Sequence, residues 1–168
     1  MSLKPAPKLI SARYGKFMLN CFPPLLFQRI RIEEFSDDFR YCRIRVKKSF
    51  LSRNLHGATF GGTIFSGADP AFGIMYWQVF AQKGERVQAW IKSARVRFQK
   101  PARSALLYEY KISDEDVAVM EAGLAERGTA VREHLLEARD EEGDVCASVH
   151  IETYLRRLPD GEKEASGF

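Results

Sequence analysis

The sequence predicts an α+β domain in which one long buried helix is wrapped by a curved antiparallel sheet. Residues 61–82 are apolar almost all round, with Ile64, Phe65, Ala68, Ala71, Phe72, Ile74, Met75, Trp77, Val79 and Phe80, so a helix there must be buried on most faces. Runs with the period-two alternation of half-buried strands lie on both sides of it in the chain. The turns between these runs suit hairpins, and a domain of this size surrounds a helix only by curving a sheet about it.

Composition sets the frame. A chain of 168 residues is long enough for one core that buries about 70% of the unfolded surface. At 45% hydrophobic and 29% charged it lies outside the disordered class. A net charge of +4 suits an anionic small molecule and is too small to indicate nucleic acid. Cys21, Cys42 and Cys146 are odd in number and show neither CxxC nor metal-ligand spacing, so no metal site and no disulfide framework are expected. No signal-peptide stretch and no run approaching the roughly 20 apolar residues of a membrane span is present, which gives a cytoplasmic expectation.

The elements follow in order. Leu9, Ile10, Tyr14, Phe17, Met18 and Cys21 make one stripe of a helix over about residues 8–20, stopped by Pro23 and Pro24; the stripe packs on the core, holds an acyl tail or docks on a membrane. Residues 30–35 and 39–47 pair across the turn Ser36-Asp37-Asp38. After the buried helix, residues 87–99 and 106–112 form a second pair around Lys100-Pro101-Ala102. Ser113 then caps a short helix that runs to about Glu126, before Gly128. Residues 130–139 and 145–156 flank a hairpin turn at residues 140–144, and a loose polar tail follows Leu158.

The chemistry concentrates between Asn54 and Ala71. Gly61 and Gly62 open the buried helix, where unpaired N–H groups and the helix dipole favour an oxyanion. Asp69 is a carboxylate inside an apolar run, a setting that raises a pKa and suits a general base. Placed before Pro70, it is equally an N-cap. Thr63 and Ser66 fall at spacings that could support Asp69 from its own helix face. Asn54 and His56 either orient a ligand or serve their own loop. His134 and His150 read as core or surface histidines. Arg95, Arg97, Lys100 and Arg103 form a solvated strand face or meet phosphates.

The stretch from Asn54 to Ala71 resembles the signature of hotdog-fold thioesterases of the phenylacetic-acid-degradation type. A glycine pair there opens the central helix, and an acidic residue stands seven positions after the second glycine, as Asp69 stands after Gly62. The likeness extends to an uncharacterised branch of that superfamily through residues 30–40, 54–70, Val96-Arg97-Phe98 and residues 112–116. It covers about residues 9–157. The resemblance implies a single hotdog domain that forms a homodimer or a dimer of dimers, with an acyl-coenzyme A or acyl carrier protein thioester as substrate. Coenzyme A enters as part of that substrate, and no other cofactor is implied. Asp69 would activate water and the Gly61 N–H would polarise the carbonyl, with Asn54 and His56 as further catalytic candidates and Phe60, Gly62, Thr63, Ser66 and Arg97 lining the substrate. The family usually carries histidine directly before the glycine pair, and here that residue is Phe60. A non-catalytic acyl-thioester binding module is therefore the alternative, with a hotdog hydratase or dehydratase behind it because no second acid-base residue follows Asp69 closely.

Overall fold

The computed structural model describes residues 6–159 and Glu162; the tail expected to be loose lies almost wholly outside them. The N-terminal segment begins with a strap rather than a helix. Gln78, fully buried in the central helix, accepts from the Ile10 N–H at 2.9 Å and donates to the Lys8 carbonyl at 3.0 Å. Helix α1 (Ala12–Cys21) starts only after Ser11, whose hydroxyl accepts from the Tyr14 N–H. Pro23 and Pro24 end α1 as expected, and they also open a second helix, α2 (Pro23–Phe27). A first helical turn needs no N–H from its leading residues, so the two prolines stop one helix and start another.

Strands β1 (Ile30–Phe35) and β2 (Tyr41–Val46) pair antiparallel and turn Ile30, Ile32, Phe35, Cys42, Ile44 and Val46 into the core. Strand β2 begins later than the alternation implies because Phe39 takes a left-handed φ of 56° in the turn. The Ser36 hydroxyl accepts the N–H groups of Arg40 and Tyr41 there.

The central helix is two helices. Helix α3 (Gly61–Ala68) and helix α4 (Pro70–Gln82) meet at Asp69, which has right-handed helical angles (φ −82°, ψ −44°) and makes no capping bond. The break is Pro70, which has no N–H for the Ser66 carbonyl and crowds it sterically. Two tyrosines of strand β4 (Leu106–Lys111) brace the helix beside this break, Tyr108 donating to the Ile64 carbonyl at 2.9 Å and Tyr110 to the Gly67 carbonyl at 2.5 Å. Gly67 sits so close to the sheet that an added Cβ would stand 2.8 Å from Val46.

Strand β3 (Val87–Phe98), helix α5 (Asp114–Arg127), strand β5 (Thr129–Arg139) and strand β6 (Val145–Arg157) complete the chain. Ser113 and Asp116 cap α5 reciprocally, and Gly128 ends it at φ 71°. The six strands form one antiparallel sheet in the order β1-β2-β4-β5-β6-β3, curved around α3 and α4. This is the hotdog fold. The expected pairing of residues 87–99 with 106–112 does not occur, since β3 pairs with β6 while β4 lies between β2 and β5.

The two edges of the sheet differ. Along β1 runs α1, where the Asn20 side chain accepts from the Ile32 N–H at 2.8 Å and donates to the Ile32 carbonyl at 3.0 Å. Lys16 donates to the Glu33 carbonyl. Strand β3 pairs with β6 on one side only, and from Lys92 to Phe98 every residue but the half-buried Val96 is exposed. The alternation of Ala94, Val96 and Phe98 therefore does not mark a face buried within the protomer.

Candidate active site

At the start of α3 the backbone supplies donors. Phe60, the N-cap residue, has no side chain able to cap, and the first intrahelical bond is made by the Ile64 N–H to the Phe60 carbonyl. The N–H groups of Gly61, Gly62 and Thr63 precede that first bond and lie at the positive end of the helix dipole. Gly61 is roofed by Phe98, whose ring would meet an added Cβ at 3.1 Å. Phe60 is exposed, and its ring lies over Gly62, where a Cβ would stand 2.5 Å from it. Gly61, Asn54 and His56 line a cavity of about 490 Å³ with Phe98, Lys100 and Arg103.

Asp69 lines a different cavity, also about 490 Å³. The N-terminal strap and α1 supply Ile10 and Met18 to its walls, α4 supplies Ile74 and Trp77, and the start of β3 supplies Trp90 and Ile91. Within the protomer Asp69 is solvent-exposed at the edge of this cavity, and among the described residues no side chain or backbone group hydrogen-bonds to it. Burial against this largely apolar wall raises its carboxyl pKa above the ordinary carboxylate value. The helical geometry of Asp69 removes the capping alternative, because a cap needs an extended residue whose side chain reaches forward to the N–H groups.

Gly61 and Asp69 are not brought together within one chain. Eight positions of helix separate them, about 12 Å of rise, so one carbonyl carbon and its oxygen cannot reach both.

The remaining expected residues sort by geometry. Asn54 serves its own loop: its Oδ1 accepts the N–H groups of His56 at 2.9 Å and Ala58 at 3.2 Å. His56 is exposed at the mouth of the Gly61 cavity. Thr63 and Ser66 do not support Asp69. Thr63 is buried, and the Ser66 hydroxyl turns back to the Gly62 carbonyl at 2.9 Å, the usual local bond of a helical serine. Arg97 is exposed on β3 and lines neither cavity.

His134 is a core residue, stacked on Phe72 with ring centroids 4.1 Å apart and bonded to the Tyr76 hydroxyl at 2.9 Å. Burial lowers its pKa to about 4 and keeps it neutral. His150 has an acidic partner after all, Glu133 on the neighbouring strand at 3.1 Å. Among the described residues one acidic cluster has metal-ligand spacing, Asp140, Glu142 and Asp144. The Lys100 ammonium already lies between Asp140 at 2.7 Å and Asp144 at 2.5 Å.

The cavity walls were the part the sequence hid. Of Phe65, Phe72, Met75, Tyr76 and Trp77, only Trp77 lines the Asp69 cavity; Phe72, Met75 and Tyr76 are core and Phe65 is exposed. Gln78 was the one available signal, a neutral polar residue in an apolar helix, and it ties down the strap that closes the cavity.

A family model described as a domain of unknown function (DUF4442) matches residues 11–155. No curated protein matches. Among solved structures, the Pseudomonas aeruginosa protein PA5026, described as a protein of unknown function and probable thioesterase, superposes with a TM-score of 0.79 at 22% identity over 91% of this chain and 99% of its own. The thioesterase HI1161 of Haemophilus influenzae gives 0.67 at 13% identity over 94% and 99%. The PaaI protein from the phenylacetic acid degradation operon of E. coli gives 0.58 at 15% identity over 89% and 98%. At such identities these likenesses carry the fold.

Proposed function

From the premise that the chain belongs to the DUF4442 family and carries the hotdog fold of its thioesterase neighbours, we propose that it hydrolyses a fatty or aryl acyl thioester with water activated by Asp69. The observation that carries this reading is the Asp69 carboxyl itself, exposed, without a hydrogen-bond partner among the described residues, raised in pKa and set at the wall of an apolar cavity. A surface carboxylate is unpaired too, but one desolvated by an apolar wall has the raised pKa that suits a base for water.

The site is completed by a second copy. An antiparallel two-fold pairing of β3 edges sets the start of one strand, beside Asp69, against the end of the other, beside Gly61. Trp90 and Phe98 are 45% and 56% exposed at opposite ends of β3, so each would face the other across the axis. In that dimer the carboxylate of one protomer and the N–H groups of its partner converge on one carbonyl. Asp69 takes a proton from water as oxygen attacks the thioester carbon, the Gly61 N–H holds the oxyanion, and the carbon–sulfur bond breaks to release the thiol of coenzyme A or of an acyl carrier protein. The apolar cavity takes the acyl chain.

The second reading, acyl-thioester binding without cleavage, is favoured by Phe60, which puts an exposed ring where the related thioesterases carry a polar group. A thiol-release assay over a panel of acyl-coenzyme A esters, with the native protein and Asp69→Asn, separates the two. Hydrolysis predicts turnover that falls by about 10³-fold or more in the variant. Saturable binding with no thiol released by either protein would leave only the binding reading.

A further inference from the structure

The end of the molecule farthest along the sheet from β3 carries a feature that thioester hydrolysis does not use. The Lys47 N–H donates to the Arg29 carbonyl at 3.0 Å, so the chain entering β1 and the chain leaving β2 lie side by side. Within four residues of that pair, four apolar side chains project into solvent: Leu26 and Phe27 from α2, 49% and 69% exposed, and Phe50 and Leu51 from a single 3-10 turn, 78% and 59% exposed. The turn is held back against the strand by the Ser52 hydroxyl, which donates to the Lys47 carbonyl at 3.1 Å. The Arg53 guanidinium lies over the Phe50 ring, 5.0 Å from its centroid.

Charge is one-sided here. Between Phe22 and Ile32 and between Lys47 and Ala68 the sequence holds Arg29, Arg31, Lys47, Lys48 and Arg53 and no acidic residue. Arg29, Lys47 and Lys48 are exposed among the four apolar tips. The acidic hairpin between β5 and β6 stands two strands further along this end, with Lys100 between Asp140 and Asp144, although Glu141 reaches back to within 3.7 Å of Arg45.

We propose that this end docks on an anionic phospholipid surface, with Phe27, Leu26, Phe50 and Leu51 entering the headgroup region and Arg29, Lys47 and Lys48 meeting lipid phosphates. The shape favours a bilayer over a folded partner. Phe50 borders a cavity of about 730 Å³ with Arg53, Leu55 and Phe60, while Leu26, Phe27 and Leu51 stand as separate exposed tips on two turns, an arrangement that a fluid interface accommodates. Aromatic and leucine side chains beside lysine and arginine are the combination that partitions to anionic membranes. Pairing through β3 leaves this surface open, because β1 and β2 form the opposite side of the sheet. The proposal stands whether or not Asp69 hydrolyses anything.

The test is flotation of the full chain with phosphatidylcholine vesicles that contain or lack phosphatidylglycerol. The native protein is expected to partition to the anionic vesicles and at least tenfold less to the neutral ones. Lys47→Glu with Lys48→Glu, and separately Phe27→Ala, should each weaken partitioning by about tenfold. Both should leave melting temperature and thiol release from a soluble short-chain acyl-coenzyme A unchanged, as neither residue touches either cavity. Equal binding to both vesicle types, native-like partitioning of both variants, or saturable binding to an acidic acyl carrier protein with no vesicle partitioning would each overturn it.

Discussion

Strands β1 and β3 end the same sheet, and only β1 is covered. Along β1, six residues long, Asn20 supplies both an acceptor and a donor to Ile32 and Lys16 reaches the Glu33 carbonyl, so α1 stands in for a neighbouring strand. Along β3, twelve residues long, no element among the described residues does so from Lys92 onward. An uncovered strand of that length is a template for another chain unless charge or curvature blunts it. Lys92, Arg95 and Arg97 discourage indiscriminate stacking, while Trp90 and Phe98 remain as apolar anchors. The difference teaches that one edge is closed within the protomer and the other is left open, the edge through which the proposed pairing would run. That pairing would bring together Asp69 and Gly61, which lie in separate cavities at opposite ends of β3.

The largest effect is expected from removing one half of the site that the proposed dimer would complete. Gly61→Pro deletes the proposed oxyanion donor and keeps the helix start, with the exposed Phe98 ring giving way to the new Cβ 3.1 Å from it. Gly61 is the first helical residue, where proline is accepted, and Phe60 already has the extended angles that precede proline (φ −61°, ψ 135°). Its kcat should fall by about 10²- to 10³-fold. Neither Gly61→Pro nor Asp69→Asn is active alone, yet after subunit exchange the mixture should recover about a quarter of the native rate, since half the dimers are mixed and each mixed dimer holds one intact site. No recovery, in a mixture shown by mass spectrometry to contain mixed dimers, would return both groups to a single chain and break the comparison.

At the covered edge the cost should fall on stability. Asn20→Ala leaves the Ile32 N–H and carbonyl without their partner and should destabilise by about 1–3 kcal/mol. Urea unfolding measures this, and sedimentation should show the same assembly as the native protein. A change of oligomeric state in this variant would mean that β1 too serves association.

Much of this architecture was legible in the chain. Tyr108 and Tyr110 alternate inward on β4, Ser113 caps its helix and the residue 140–144 turn closes as a hairpin, because each depends on local periodicity or local hydrogen bonds. The apolar residues Ala94, Val96 and Phe98 show the limit: their alternation describes a surface to be buried and cannot say by which molecule. The Asp69 cavity was hidden for a related reason. Its walls come from the strap, α1, α4 and β3, which only the closed sheet brings together. Asn54 and Asp69 are separated by backbone geometry that spacing does not encode. The loop claimed Asn54, and the helical conformation of Asp69 freed it from capping.

The smallest effect is the most specific to the open edge. Folding raises the Asp69 pKa, so the native state holds that proton more tightly than the unfolded chain does. The sign follows: Asp69 contributes fully to stability below its unfolded pKa of about 4, and that contribution is lost as pH rises through the higher folded value. Asparagine carries no charge at either extreme. Asp69→Asn should therefore melt above the native protein at neutral pH and lose that advantage below about pH 4, even as thiol release disappears. The same raised pKa should place the acid limb of the native rate profile above the ordinary carboxylate range. One side of Asp69 is open in the protomer, and pairing at β3 would bring further apolar surface beside it. The stabilisation by asparagine should then be larger at concentrations where the dimer forms than at dilutions where it dissociates. A gain independent of protein concentration would mean that the desolvation comes from the protomer's own wall, and the open edge would then contribute nothing to tuning the base.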